Sequence, residues 1–236
     1  MIREDFEMAD KPAPKQEAYT REKPSKRYVE LGKLYEQMHT EGEQRLGLAA
    51  EKTFAGQSLY PHIARIGAEL KQSGSKTLLD YGAGKGLAYQ QKPLTLPSGE
   101  TADSLQAHWG LERVTCYDPG HEPFAKLPEG RFDAVICTDV LEHCPEEDID
   151  WILTEIFDYA KRFVFLTVAC YPAKKHLPNG ENAHITLRKP EWWQRRIIAA
   201  AAGRTGLVYR VIFESIKDGR RVSAEMRELA LTAANG

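Results

Sequence analysis

The sequence predicts an α/β fold: a mainly parallel sheet that finishes in an antiparallel strand. Three observations predict it. From residue 77 onward, short apolar runs alternate with helical spacings, the order that builds parallel sheets with right-handed crossovers. The run Phe163-Val164-Phe165-Leu166-Thr167-Val168 is apolar without alternation, as a strand buried on both faces requires. Near the end, Asp218-Gly219 separates two strand-like runs, which is a hairpin signal.

Taken in chain order, residues 1–27 hold 13 charged side chains and three prolines, and a mobile tail is expected there. Tyr28, Leu31, Tyr35 and Met38 recur at helical spacing, and Leu59, Ile63, Ile66 and Leu70 repeat it before Ser73-Gly74-Ser75. Residues 28–75 are therefore read as a helical cap on a domain spanning 76–230. That domain opens with the strand Thr77-Leu78-Leu79-Asp80. A second strand, Val114-Thr115-Cys116-Tyr117, stops at Asp118-Pro119-Gly120, and a third runs from Phe132 to Cys137. Ile149, Ile152, Leu153, Ile156 and Ala160 mark a helix before the run at 163–168. Residues 170–189 read as a polar loop. Pro190 suits the first turn of a helix through Trp193, Ile197 and Ala200. The hairpin over 207–224 closes the sheet.

Composition narrows the function classes. The 236 residues are 42% hydrophobic and 28% charged, which excludes a wholly disordered chain. No apolar run approaches the roughly 20 residues of a membrane helix. The N-terminus has no apolar block and is not read as a secretory signal. Cys116, Cys137, Cys144 and Cys170 form no C-x-x-C pair, which suits reduced thiols and a cytoplasmic location. The net charge of −2 divides into −8 over residues 1–150 and +6 over 151–236. Bulk charge gives no reason to expect nucleic-acid binding, although a basic C-terminal half could attract an anionic substrate.

The motif that carries function begins at Asp80, on the end of the first strand. Gly82-Ala83-Gly84-Lys85-Gly86 follows, a turn where backbone must approach a ligand closely and a helix is expected to start. Asp118 ends the next strand, where a carboxylate can accept from both hydroxyls of a ribose. Together they describe an adenosine-containing cofactor across the strands' carboxyl ends. The segments Leu78–Gly86 and Phe132–His143 resemble two motifs of class I S-adenosylmethionine-dependent methyltransferases (type 11 and 23 domains). The resemblance covers roughly residues 75–225. It implies a Rossmann-like sheet of seven strands, S-adenosylmethionine as cofactor, and donor contacts at Asp80, Gly82, Ala83, Gly84, Gly86, Asp118, Cys137, Thr138 and Asp139.

Two departures from the family pattern stand out. Gly82 and Asp118 are 36 positions apart, and the excess at 90–109 is expected to form a loop over the site. Too few residues separate Asp118 from Phe132 for a full helix and strand, so the third family strand is expected to be vestigial. Pro119 or His121 would then cover the adenine.

Methyl transfer to a hydroxyl also needs a base or a metal to remove the proton. If a helix starts just after the strand ending at 137, Asp139, Glu142 and His143 share one of its faces, and His184 lies in the loop after the next strand. His143 and His184 are the candidate bases. With Asp139 and Glu142 they could also hold a divalent cation, similar to the metal sites of ubiquinone-pathway O-methyltransferases and small-RNA 2′-O-methyltransferases. The same string also occurs in metal-free members, so the metal is the secondary reading. Trp192 and Trp193 read as core packing, with an acceptor pocket shared with Tyr171 and His176 as the sharper alternative. The expected activity is methylation of a small-molecule or carbohydrate-like acceptor, at oxygen. The alternatives are an RNA or nucleotide methyltransferase, or a catalytically silent cofactor-binding protein.

Overall fold

The structure is a computed structural model that describes residues 18–230. Six strands form one sheet: β1 (Thr77–Tyr81), β4 (Arg113–Tyr117), β5 (Phe132–Thr138), β6 (Ala160–Ala169), β7 (Val208–Lys217) and β8 (Arg220–Leu229). Their order across the sheet is β4-β1-β5-β6-β7-β8. The first five are parallel, and β8 pairs antiparallel with β7 through all ten residues. The sheet thus has six strands where the family resemblance implied seven. Between Tyr117 and Phe132 the chain forms only a 3-10 turn at Glu122–Phe124, so the vestigial third strand is absent.

Alternating side chains on β1 send Leu78 to one face and Leu79 to the other. On the first face α2 (Ile63–Ser73) buries Ile63, Ile66 and Leu70 against Leu78, Ala134, Ile136 and Phe165. On the second, α5 (Ile149–Tyr159) and α6 (Pro190–Ala201) bury Ile152, Ile156, Trp193 and Ile197 against Leu79, Val135 and Val164. Burying such side chains contributes about 1.5–3 kcal/mol each, which makes these two layers the main source of stability. Trp193 is fully buried, in agreement with the packing reading.

The 90–109 segment does not lie over the glycine turn. It forms a small hairpin, β2 (Leu94–Thr95) with β3 (Thr101–Ala102), and a single turn α4 (Leu105–His108). Its apolar side chains draw it onto the α2 face. Trp109 donates to the Ile63 carbonyl at 3.0 Å, and Leu94 and Leu105 are fully buried.

Part of the expected N-terminal tail, residues 1–17, lies outside the described residues. Residues 18–27 depart from the tail expectation because their polar groups find partners in the folded domain. Arg21 donates to the Tyr117 hydroxyl at 3.1 Å, the Tyr81 hydroxyl at 2.9 Å and Glu155. Ser25 is buried; its N–H and hydroxyl both reach Asp148, and its Oγ caps α1 (Lys26–Glu41) by accepting from the Tyr28 N–H. Helix α1 then runs over the carboxyl edge of the sheet, where Leu31 and Met38 pack on Leu177 and Ala183.

Candidate functional site

Because β1, β4, β5 and β6 are parallel, their carboxyl ends Tyr81, Tyr117, Thr138 and Ala169 open on one edge. The glycine turn follows β1 there. Gly82, Gly84 and Gly86 all have positive φ, and a Cβ at Gly82 would collide with the Val140 side chain. The expected helix after the turn is the single turn α3 (Leu87–Gln90), too short to present a useful dipole. Asp118, at the end of β4, accepts from the Gly84 N–H at 2.8 Å and the Gly120 N–H at 2.9 Å. Burial raises its pKa, and those N–H groups act against the rise.

Asp80 is buried beside the turn. Its Oδ2 accepts from the Tyr89 hydroxyl at 2.8 Å, while Oδ1 has no partner among the described residues. Burial pushes its pKa up to about 7. Ala83 and Thr138 line the same crevice, and the Thr138 carbonyl accepts from the Ser58 hydroxyl at 3.2 Å. Two predicted contacts fall elsewhere. The Cys137 side chain is fully buried in the core under α5, and Pro119 is exposed outside the crevice.

A second cluster stands on the same edge. Asp139, just past β5, has φ +62°, a backbone state uncommon outside glycine. The predicted helix does not start here. Leu141–His143 is a 3-10 turn and α5 begins only at Ile149, so Asp139, Glu142 and His143 share no helical face. Glu142 instead points inward, where its Oε1 accepts from the Ala169 N–H at 2.5 Å and its carbonyl accepts from the Ile185 and Thr186 N–H groups. Its pKa is raised well above the usual range by burial, with Asp139 adding to the rise. Those bonds tie Glu142 to the loop, and it is not among the three side chains whose ligand atoms converge.

Asp139, His143 and His184 do converge, each offering a ligand atom within 4.8 Å of the others. His143 Nδ1 lies 2.7 Å from the Ala183 carbonyl, and His184 Nδ1 lies 2.5 Å from the Tyr171 carbonyl. A carbonyl oxygen can only accept, so both Nδ1 atoms carry the proton and both Nε2 atoms keep a lone pair. Burial, with His184 beside it, lowers the His143 pKa to about 4; burial lowers that of His184 too.

Sequence reasoning missed Tyr35, His39 and Phe54 here. Tyr35 of α1 donates to the Ala183 carbonyl at 2.8 Å and sits 3.1 Å from His143 Nδ1. Its place in the α1 apolar spacing gave no sign of this. Lys175 holds Nζ 4.6 Å from the centre of the Phe54 ring; burial lowers its pKa while Asp139 and Glu43 favour its charge. Residues 39–56, the last turn of α1 and the strap that follows it toward α2, include His39 and Phe54, and His39 Nε2 lies 3.7 Å from Asp118 Oδ1. No local pattern marks a strap that takes its shape from tertiary contacts.

A six-stranded, mostly parallel sheet with a glycine turn and an acid at adjacent carboxyl ends defines a nucleoside-cofactor enzyme of the α/β class. A family model described as a methyltransferase domain matches residues 53–210, and the chain belongs to that family. It is an S-adenosylmethionine-dependent methyltransferase. No curated protein sequence matches the chain. A solved structure described as the DhpI–SAH complex aligns over 89% of this chain and 83% of its own, at 12% identity and a TM-score of 0.31. Among the described residues no helix is long and apolar enough to cross a membrane.

Proposed function

We propose that the chain methylates a hydroxyl oxygen of a small-molecule or carbohydrate-like acceptor, prepared for attack by Asp139, His143 and His184. The convergence of these three groups on one point carries the reading. The donor residues fit S-adenosylmethionine in kind. The unpartnered Asp80 Oδ1, beside the turn, answers a cationic amino group. The glycines leave no Cβ between ligand and backbone, and Asp118 has lone pairs for ribose hydroxyls. His121, stacked on a second ring, offers a face to the adenine. When bound, the donor supplies an electrophilic methyl group. The chain's own part is to place an acceptor oxygen in line, exclude water and remove the hydroxyl proton.

His143 and His184, neutral with free Nε2 atoms, are the proton acceptors in this reading. A second reading rests on the same atoms. Two neutral imidazoles and a carboxylate form a ligand set for a divalent cation, which would acidify the acceptor hydroxyl. The lowered basicity of His143 favours it, since a group titrating near 4 is a weak base at neutral pH. A cavity of about 250 Å³ lies between α1 and the 176–180 turn, and none of Asp139, His143 and His184 lines it. We place the reaction in the cytoplasm, in keeping with four free cysteines.

The test is labelled-methyl transfer onto fractionated metabolites and RNA, with and without EDTA, for the parent and His184→Ala. The expected result is transfer to a hydroxyl, lost in His184→Ala while calorimetric affinity for S-adenosylhomocysteine is kept. Loss on adding EDTA, restored by a divalent cation, selects the metal reading. Transfer to nitrogen or carbon, or undiminished turnover in His184→Ala, overturns the proposal. Salt-sensitive transfer to RNA replaces its acceptor class.

A further inference from the structure

The donor crevice is closed by the chain itself. The space beside the glycine turn amounts to about 10 Å³, whereas pockets that hold ligands of this size occupy roughly 300–1,000 Å³. Gly56, Ser58 and Leu59 line that space, and the chain before them, from His39 to Phe54, lies against the turn and Asp118. The Phe54 carbonyl accepts from the Lys85 N–H at 2.9 Å, and a Cβ on Gly84 would collide with that same carbonyl oxygen. The His39 ring lies 3.7 Å from Asp118, and it stacks on His121 with centroids 5.2 Å apart. Lys85 Nζ donates to the His39 carbonyl at 2.9 Å. The strap is thus hydrogen-bonded to the turn's backbone, and His39 lies beside the acid and the aromatic face assigned above to the donor's nucleoside end.

The closed arrangement carries strain. Phe54 has φ +53°, which a bulky side chain rarely adopts. His39 is desolvated next to Lys85, with His121 and Lys175 also near it and Asp118 as the neighbouring acid. These costs belong to the shut arrangement.

We propose that the 39–56 strap is an internal competitor of the methyl donor, with His39 and Phe54 filling the crevice until the donor displaces them. The proposal rests on the donor site described above and adds its regulation. The strap also borders the larger cavity. Glu43 accepts from the His176 N–H at 3.2 Å, and Arg45 lies 2.6 Å from His176 Nε2. Glu43 and Arg45 line the larger cavity, so withdrawal of the strap reshapes its wall.

The experiment uses the full chain with S-adenosylhomocysteine, following hydrogen exchange of the 39–56 amides and stopped-flow association. On ligand addition the 39–56 amides exchange faster while β1 and β4 gain protection. His39→Ala raises the association rate about tenfold, the factor by which a 10:1 preference for the shut state reduces apparent affinity. Phe54→Ala gives the same direction and serves if His39→Ala fails to fold. Slower exchange throughout 39–56 with an unchanged association rate in a folded variant overturns the strap while leaving the donor site intact. Binding by His39→Ala but not by the parent supports the strap. Absence of binding by parent and variants alike overturns the donor reading itself, and the strap with it.

Discussion

Asp139 shows how a single backbone state makes a site. Its left-handed φ ends β5 abruptly, and its N–H is held by the Thr167 hydroxyl at 2.9 Å. This turns the carboxylate toward His143 and His184 rather than along a helix. Aspartate tolerates the left-handed region better than most residues, and such outliers gather at functional sites. Asp80 makes a different point about burial. Its pKa in the folded chain is about 7 against an ordinary 3.8, chiefly from desolvation. Between those values the folded protein binds more protons than the unfolded chain, so stability falls as pH rises from about 4 to about 7. At about 1.4 kcal/mol per unit, ionised Asp80 destabilises the fold by a few kcal/mol above pH 7. Asp80→Asn is neutral at every pH. Its melting temperature should match the parent's near pH 4 and exceed it at pH 8, followed by circular dichroism. A difference that stays constant over this range would show that Asp80 ionises normally.

At the scale of elements, α1 is fastened by one buried group. Asp148 accepts from the Ser25 N–H at 3.0 Å, the Ser25 hydroxyl and the Trp151 indole N–H at 2.8 Å. Removing it leaves three donors buried without partners, each costing about 1 kcal/mol or more. Asp148→Ala should therefore lose about 2–4 kcal/mol in urea denaturation. Since α1 carries Tyr35 and His39, protease sensitivity near residues 18–42 should rise with that loss. A change below about 0.5 kcal/mol would mean that α1 docks by its apolar face alone. The strands β1 and β4 to β8 were legible because apolar runs and hairpin signals are local. So were α1, α2, α5 and α6, whose spacing fits 3.6 residues per turn. The 170–189 loop and the strap were not, because distant partners shape them. Asn182 exchanges two hydrogen bonds with the Ala173 backbone, and the Glu142 carbonyl holds Ile185 and Thr186. Of the candidate site, the glycine turn, Asp118, Asp139, His143 and His184 were named from local motifs. Glu142 was misplaced because the sequence suggests a helix where the chain makes a 3-10 turn.

Across the whole molecule, the sheet has two unequal edges. β4 is short at five residues, whereas β8 runs for ten and is exposed over most of its length. A long unpaired edge invites pairing with another chain unless something discourages it. Exposed Val222 and Leu229 would add to that tendency. Five charged residues stand against it: Arg220, Arg221, Glu225, Arg227 and Glu228. Arg221, Glu225 and Arg227 also have partners within the fold, in Glu214, Arg210 and Glu69. Arg220 and Glu228 sit on β8 opposite Lys217 and Tyr209, and their assigned task here is to keep the edge solvated. Arg220→Thr with Glu228→Thr keeps strand propensity while removing both charges. The double variant should unfold within a few degrees of the parent at low concentration, because no core contact is lost. At higher concentration it should scatter light at a lower temperature and show a particle size that grows with protein concentration. If it stays monodisperse under the conditions the parent tolerates, the charges are not the guard, and protection of β8 lies in the twist of its pairing with β7.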